Sequence, residues 1–420
     1  MINPESIRSA QFVDSFYPVI DGVIQVVHNY ALLMNQVSYS CVVCPKSAAA
    51  FDDSTLPYDV FRTSAFCSHL WQYSVALPKN PHRAKQLAQI EQIAGPDILH
   101  VHSPFTQREY ASYLAGKLHI PLVATFHTKY YDDALRITRS KLFARELTAY
   151  IIRFYESCDN VWACSEGAAE TLRSYGYRGD ITVMVNGTNF TKPSDIDGWT
   201  RAAAERFNIS KDRHNLLFVG SQVWQKNIKL VLDTMKILCR SDKNYRLIIA
   251  GCGYDEQAIK NYAKKLGLTK GEVDFVGKIS DRKLLSGLFT NADLFFFPSV
   301  YDNSPLVLRE ASVLEVPSLL TKGSNAADVI EPDVNGFVAE ETPEAMACKI
   351  RSVITDKELL KQVGKNACAT IPVPWTELIP RVYEEYALII DRHRMMAGAA
   401  GVDFNRQART GKCSRDTIIT

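Results

Sequence analysis

Two carboxylates, Asp302 and Glu310, stand eight positions apart in YDNSPLVLREASVLEVPSLL, with a turn-like stretch, 303–305, between them. A helix that opens after this turn presents unpaired backbone N–H groups and a partial positive charge, which together favour a phosphate. Ser304 is then the N-cap and Pro305 the first helical residue. The spacing is compatible with one acid that binds sugar hydroxyls near the phosphate and another that binds a ribose. It is equally compatible with two acids that only stabilise the helix N-terminus electrostatically.

Two other patterns resemble ligand motifs without the context that such motifs require. Residues 195–197 read Asp-x-Asp, but Pro193 and Gly198 flank them and no apolar run precedes them. Two carboxylates without a strand or a third ligand make a poor metal site. The segment GCGYDE (251–256) lacks the third glycine of a dinucleotide fingerprint. We therefore predict no metal ion and no nicotinamide cofactor.

Composition excludes several classes of protein. The 420 residues are 46% hydrophobic and 22% charged, which favours two globular domains. A net charge of +2 gives no overall field for nucleic acid, so we expect no nucleic-acid partner and only local basic surfaces. The start of the chain shows no signal-peptide pattern, and no segment has the ~18 apolar residues that span a bilayer.

Ten cysteines are scattered along the chain without a disulfide framework. Cys41 and Cys44 form C-x-x-C inside an apolar run, with no second pair at zinc spacing. In a strand these two side chains point to opposite faces, which favours packing over metal binding. Reduced thiols predict a cytoplasmic protein.

The elements that must position the two carboxylates are short, continuously apolar runs. Such runs are typical of parallel strands that are covered on both faces. In chain order they are 10–14, 39–44, 98–102, 122–126, 161–164, 216–220, 247–251, 273–277, 294–298 and 318–321. Amphipathic stretches such as KLVLDTMKILCRS lie between them. Strand–helix alternation that runs twice through the chain predicts an α/β protein with two Rossmann-like, doubly wound domains.

Changes in composition set the predicted domain boundaries. The parts are a first domain (1–190), a linker (191–212), a second domain (213–374), a final helix (375–395) and a flexible tail (396–420). Two such sheets leave a central cleft between the carboxyl ends of their strands, where ligands bind in this architecture.

The segment FFPSVYDNSPLVLREASVLEVPSLLT resembles the signature of family 4 glycosyltransferases with the GT-B fold, in which Glu-x7-Glu follows a Pro-Ser strand end. Asp302 stands at the first glutamate and Glu310 at the second, while 303–305 replace the usual Gly-Phe-Gly. The resemblance implies that the first acid lies against the donor sugar and the second holds the ribose. Predicted donor-binding residues here are Asn303, Ser304, Pro305, Leu306 and Glu310, and Asp302 is predicted as catalytic.

The stretch LLFVGSQVWQKNIKLVLD is similar to the family's strand–loop–helix, in which an arginine and a lysine neutralise the donor diphosphate. Lys226 occupies the lysine position and is predicted to bind the donor. Ser221 stands at the arginine position, so one cation is missing. Other groups must compensate, or the affinity for the donor falls.

In the first domain, FVDSFYPVIDGVIQVV is similar to the family's opening strand and glycine loop. Gly22 there lets the backbone approach the donor phosphates, although a plain turn would also use a glycine. ILHVHSPF and LVATFHTKYYDD resemble two histidine-bearing strand ends of the family. The resemblance implies a catalytic place for His127 beside the donor sugar and an acceptor-side place for His102. Structural histidines are the alternative.

The resemblance spans roughly residues 8–390 and implies that the last helix crosses back to the first domain. It also implies transfer of a hexosyl group from a nucleotide sugar with retention and without a cofactor. Fixed dipoles at the leaving diphosphate would lower the barrier. Because DSFYPVIDGV, HVHSPF and TFHTKYYDD also resemble bacterial diacylglycerol glucosyltransferases, we expect a UDP-sugar donor and a lipid or glycan acceptor.

Basic residues stand among apolar ones in 133–157, a pattern that suits an anionic membrane surface. An ordinary solvated helix fits it as well, since acids dilute the charge. We expect a cytoplasmic protein that lies peripherally on the inner face of the membrane if its acceptor is a lipid. The alternatives are a polysaccharide or soluble acceptor, a GT-B epimerase or phosphorylase, and a non-catalytic sugar-binding module.

Overall fold

A computed structural model of the protein describes residues 3–66, 74–77 and 83–399. In chain order its strands are β1 (Ser9–Phe12), β2 (Ser40–Pro45), β3 (Val60–Thr63), β4 (Ala65–Phe66), β5 (Val75–Ala76), β6 (Ile98–Val101), β7 (Leu122–Phe126), β8 (Asn160–Ala163), β9 (Ile181–Val183), β10 (His214–Val219), β11 (Tyr245–Ala250), β12 (Val273–Gly277), β13 (Leu294–Phe296), β14 (Ser318–Thr321) and β15 (Phe337–Ala339). Its helices are α1 (Gly22–Met34), α2 (Arg83–Ile93), α3 (Gln107–Leu118), α4 (Tyr130–Thr138), α5 (Lys141–Glu156), α6 (Glu166–Ser174), α7 (Ile196–Phe207), α8 (Ile228–Ser241), α9 (Glu256–Lys265), α10 (Arg282–Thr290), α11 (Leu306–Val313), α12 (Pro343–Val353), α13 (Lys357–Thr370) and α14 (Trp375–Ala399).

The strands form two parallel sheets, one for each half of the chain. The seven-stranded sheet has the order β3-β2-β1-β6-β7-β8-β9, and the six-stranded sheet the order β12-β11-β10-β13-β14-β15. The strand order reverses between β1 and β6 in the first sheet and between β10 and β13 in the second. These are the switch points at which ligands bind in open α/β sheets. The predicted pair of doubly wound domains is confirmed.

The apolar runs correctly locate the central strands of both parallel sheets and the edge strand β12, and they miss the other three edge strands and the two-stranded β4–β5 sheet. β3, β9 and β15 lie at sheet edges and are only three or four residues long. β3 and β9 are also mostly half-buried, so their sequences lack the continuous apolar character of a strand that is covered on both faces. Short edge strands are therefore the part of such a sheet that composition reveals least, whereas the five-residue edge strand β12 was found.

The segment predicted as a linker contains α7, which packs on α10 of the second domain. The hydroxyl groups of Thr200 and Thr290 are 2.6 Å apart, and a Cβ on Gly287 would lie 2.1 Å from the carbonyl oxygen of Trp199. Asp195, part of the Asp-x-Asp pattern, caps α7 by accepting the Gly198 N–H at 3.2 Å. The pattern is thus explained by a helix start.

Cys41 and Cys44 lie in separate buried clusters on opposite faces of β2. Burial raises the pKa of Cys44 to about 12, so that its thiol stays protonated and behaves as a small apolar group. Packing explains both cysteines.

The two chain crossings between the domains run side by side. The Thr188 N–H donates to the Val373 carbonyl at 2.8 Å, and the Trp375 N–H donates back to Thr188 at 3.3 Å. Helix α14 then packs on the first domain, where the Tyr383 hydroxyl donates to the Met34 carbonyl at 3.0 Å. The predicted crossing of the last helix is confirmed.

Helix α14 continues to Ala399, beyond the predicted end at residue 395. The first residues of the predicted tail are thus helical, and the rest of it, 400–420, lies outside the described residues. Among the described residues, no helix combines the length and the apolar character that crossing a bilayer would require.

Candidate active site

The carboxyl end of the second sheet carries an ion pair between Lys226 and Asp302. Lys226 ends a short 3-10 turn after β10, and Asp302 lies on the loop that follows β13. The Ser299 hydroxyl donates to the other carboxylate oxygen of Asp302 at 2.5 Å. The two charged side chains are only 18% and 15% exposed. The lysine and the first acid of the predicted donor site therefore meet, and two donors fix the orientation of the acid.

Helix α11 begins one residue later than predicted. Pro305 is the N-cap, with extended backbone at ψ 124°, and Leu306 is the first helical residue. Ser304, predicted as the N-cap, precedes the cap and is not part of it. Because proline has no polar side chain, no side-chain hydrogen bond caps this helix. The first N–H groups of α11 are therefore left for an anion.

Glu310 lies in the second turn of α11 and pairs with a residue that the sequence did not single out. Arg282, the first residue of α10, donates from Nη1 to Glu310 Oε1 at 2.8 Å. The arginine side chain is 61% exposed and the glutamate 17%. This pair is more open to water than that of Lys226 and Asp302. A ribose hydroxyl that reached Glu310 would bind beside the exposed Arg282 side chain or displace it.

Asn303 bridges the two domains with its side chain. Its Nδ2 donates to the His127 carbonyl at 2.9 Å, and its Oδ1 accepts from Asn325 at 2.8 Å. The Ser304 carbonyl accepts from Asn186 of the first domain at 3.3 Å. The Asn303 side chain is thus engaged between the domains, which leaves main-chain groups as its contribution to a donor.

At the facing edge of the first domain, His102 and His127 follow neighbouring strands and are in contact. Gln11 Oε1 can only accept, so Nε2 of His102 donates to it at 2.9 Å. Nδ1 of a neutral His102 is then an acceptor, and Nε2 of His127 donates to it at 3.1 Å. Since Nε2 of a neutral His127 carries the hydrogen in this network, its Nδ1 has none and is an acceptor.

Burial keeps these histidines neutral. It lowers the pKa of His127 to about 4. Burial and the neighbouring His100 and His127 hold the pKa of His102 well below its usual value. His100, which the sequence did not single out, bonds Tyr386 of α14 and Thr125, both at 2.6 Å. His100, His102 and His127 therefore form a polar but uncharged surface, here termed the histidine edge.

Gly22 is the first residue of α1 and is exposed. The preceding Asp21 caps the helix by accepting the Ile24 N–H at 2.9 Å. A Cβ on Gly22 would have no heavy atom within 4 Å. Since neither packing nor a left-handed backbone requires this glycine, the structure leaves open space beside it for a ligand.

Direct contacts join the two edges. Lys129 Nζ donates to the Val300 carbonyl at 2.7 Å, and the Tyr301 hydroxyl donates to Asp133 of α4 at 2.8 Å. Lys129 stands two residues after His127, so a search around that histidine could have found it. Asp133 belongs to the same stretch, TFHTKYYDD, whereas Arg282 carries no comparable sequence signal because only the fold brings it to the cleft.

Two family models match consecutive halves of the chain. The model described as "Glycosyltransferase Family 4" matches residues 20–192, and "Glycosyl transferases group 1" matches residues 200–369. The first match covers the histidine edge and the second the two ion pairs.

Among curated relatives, the alpha-monoglucosyldiacylglycerol synthase of Streptococcus pneumoniae is 21% identical over 74% of this chain and 70% of its own length. The GDP-mannose-dependent alpha-mannosyltransferase of Corynebacterium glutamicum is 22% identical over 91% of this chain and 89% of its own. The chain is thus similar to one enzyme named for a glucosylated diacylglycerol and to another named for GDP-mannose.

Among solved structures, Anabaena HepE in complex with UDP and glucose superimposes with a TM-score of 0.72 at 15% identity, over 91% of this chain and 99% of its own. WaaG, a glycosyltransferase involved in lipopolysaccharide biosynthesis, gives a TM-score of 0.65 at 16% identity over 90% of this chain and 99% of its own. At these identities the likeness shows the fold, with two facing domains. Together, the two matched domains and this architecture show that the chain belongs to the family 4, group 1 glycosyltransferases with the GT-B fold.

Proposed function

We propose that this glycosyltransferase moves a hexosyl group from a nucleoside diphosphate sugar to an acceptor hydroxyl, with retention and without a metal ion. One observation carries the proposal: Lys226, Asp302 and the uncapped start of α11 lie together at the carboxyl end of the second sheet. An ammonium group and free N–H groups suit a departing diphosphate, and a fixed carboxylate beside them suits a sugar that develops positive charge. The hydrogen bond from the Asn303 side chain to the His127 carbonyl brings the His127 loop to the loop that precedes α11.

The roles divide between the domains. Lys226, Gly22 and the main chain at 303–306 hold the diphosphate, and Glu310 holds the ribose. Asp302 and His127 flank the transferred sugar, where the neutral imidazole accepts a sugar hydroxyl. His102 fixes the His127 ring on the acceptor side.

The donor is expected to be a UDP-sugar, with a GDP-sugar as the second candidate because one relative across most of the chain is named as GDP-mannose-dependent. The test is a panel of UDP- and GDP-sugars incubated with membrane lipid extract, with products identified by mass. A product with one added hexose from a UDP-sugar supports the first assignment. Turnover with GDP-mannose alone would replace it.

A lipid acceptor at an anionic membrane surface is supported by the tip between α4 and α5. Ile137 and Leu142 are each 70% exposed there, and Phe143 is 51% exposed. Arg139 and Lys141 are exposed between these apolar side chains. An apolar tip framed by cations can insert at the headgroup level of anionic lipid. In this proposal the protein is cytoplasmic and binds the inner face of the membrane peripherally.

Co-sedimentation with vesicles tests the membrane surface. Phosphatidylglycerol vesicles should pellet the protein and phosphatidylcholine vesicles should not, and a variant with serine at positions 137, 142 and 143 should stay in the supernatant. Leu388→Ser is a matched control, because Leu388 is 54% exposed on α14. Equal pelleting of all three proteins would remove this support.

The remaining alternatives separate by product. A polysaccharide or soluble acceptor would give a labelled glycan in the aqueous phase. An epimerase would rearrange the donor without an acceptor, and a phosphorylase would show pyridoxal absorbance. A sugar-binding module would bind a donor without turnover, whereas the proposed enzyme loses turnover in Asp302→Ala.

A further inference from the structure

The donor site of this chain has one cation fewer than the family pattern, at Ser221. Ser221 is exposed, two residues after the end of β10, and its side chain carries no charge. A diphosphate carries at least two negative charges, and Lys226 already shares its charge with Asp302. A further cation is needed near the acid loop, 299–305, for charge balance.

Lys129 of the first domain reaches this loop. It lies two residues beyond His127, and its Nζ donates to the Val300 carbonyl at 2.7 Å. The side chain is half-buried between the domains and forms no ion pair among the described residues. An ammonium group has three N–H donors, so two remain after the bond to Val300. Burial lowers the pKa of Lys129, while Asp302 is among the acids that raise it.

Two other cations contact α11 or the loop before it and suit the role less well. Arg282 is 61% exposed and already paired with Glu310. Arg309 is 4% exposed, and its guanidinium donates to the Ile371 carbonyl at 2.6 Å and to Ser304 Oγ at 3.4 Å. Arg282 is thus already bound to Glu310, and the buried Arg309 guanidinium is occupied by the Ile371 carbonyl. Lys129 is half-buried, has two free N–H donors and contacts the acid loop at Val300.

We propose that Lys129 supplies, from the first domain, the second positive charge on the donor's diphosphate that Ser221 does not supply from the second. The inference rests on the proposed function and deepens it. Because Lys226 and Lys129 belong to different domains, a diphosphate bound by both links the two sides of the cleft. A nucleoside monophosphate, which lacks the β-phosphate, makes fewer of these contacts.

Calorimetry first measures the binding of UDP, GDP, UMP and GMP to the full-length wild-type protein. The variants are then tested with the diphosphate that binds, uridine or guanosine, and with its monophosphate. Lys129→Met should weaken binding of the diphosphate about tenfold or more and that of the monophosphate by less than about threefold. Lys129→Arg should keep most of the affinity. Adding Ser221→Arg to Lys129→Met should restore diphosphate binding, because it returns a cation to the same site. Lys229→Met, which removes a lysine 62% exposed on α8, is the control for loss of a charge elsewhere.

The possible outcomes are distinct. Unchanged diphosphate binding in Lys129→Met overturns the assignment of Lys129 while the donor proposal stands. Equal losses for monophosphate and diphosphate overturn it too, since they indicate a structural role at the domain contact. If wild type binds neither UDP nor GDP, the proposed function itself fails and this inference fails with it. Selective loss together with rescue by Ser221→Arg supports the assignment.

Discussion

The two edges of the cleft differ in how many ionised side chains they carry. The second-domain edge holds ionised side chains in pairs, Lys226 with Asp302 and Arg282 with Glu310. At the first-domain edge His102 and His127 are neutral, because burial holds their pKa values low, and the cation Lys129 reaches from this edge to the acid loop. A nucleotide sugar has a similar contrast, because its anionic diphosphate is joined to a sugar that presents neutral hydroxyls. The ionised pair of Lys226 and Asp302 therefore suits the charged part of the proposed donor, and the neutral histidines suit the sugar hydroxyls.

The largest expected effect comes from the charged edge. Lys226→Ala should lower kcat/KM by an amount equivalent to about 2–4 kcal/mol of lost transition-state stabilisation. The substitution removes the cation at the leaving diphosphate, and it leaves the mostly buried Asp302 without its counter-ion. Steady-state kinetics with the identified donor measure this loss. Lys226→Arg keeps the charge and serves as the control. An unchanged kcat/KM in Lys226→Ala would contradict the role of the charged edge.

Gly22 tests whether the neutral edge approaches the donor at all. Gly22→Val should raise the donor KM about tenfold, equivalent to ~1.4 kcal/mol, by filling the open space beside the phosphates. Its effect on the free energy of unfolding should stay within ~1 kcal/mol, since no atom is close enough to clash. Enzyme kinetics and urea denaturation separate the two quantities.

Gly364→Ala is the matched control for Gly22→Val. A Cβ on Gly364 would lie 2.0 Å from the Glu315 carbonyl oxygen, so this variant should lose about 1–3 kcal/mol of stability and keep its KM. If Gly22→Val behaves like Gly364→Ala, the space beside Gly22 has a structural purpose only.

The neutral state of His127 predicts a dependence of stability on pH. The folded-state pKa is about 4, below the unfolded value near 6.5, so between these values the unfolded chain binds more protons than the folded one. The free energy of unfolding should therefore fall as the pH drops from about 6.5 towards 4. In His127→Gln this fall should be shallower, as measured by urea denaturation at several pH values. Parallel curves for the two proteins would show that His127 is charged, or equally protonated, in both states.

The smallest effect is expected at the exposed pair. Arg282→Ala should change the free energy of unfolding by no more than ~0.5 kcal/mol, because an ion pair with a 61% exposed partner contributes little. Donor binding should change little as well if Glu310, not Arg282, contacts the ribose. A large loss of donor affinity in Arg282→Ala would instead make this arginine a phosphate ligand and would weaken the case for Lys129.

Sequence reasoning reached the central strands and the acid loop because both depend on local chemistry. Continuous apolar runs mark strands that are covered on both faces, and the spacing of Asp302 and Glu310 marks a helix after a loop. The start of α11 was misplaced by one residue, since Ser304 and Pro305 each suit two adjacent positions. The partners Arg282 and Lys129 were not predicted, because they come from other elements and, for Lys129, from the other domain.

Helix α14 has a consequence for how the chain matures. Its side chains from Trp375 to Ile390 complete a buried cluster with Met34 and Trp162 of the first domain. A ribosome releases the first domain long before it releases this helix. The apolar surface that α14 covers therefore stays exposed while the second domain is being synthesised. During that time it can associate with other exposed apolar surfaces. The domain that emerges first is among the last parts of the molecule to be finished.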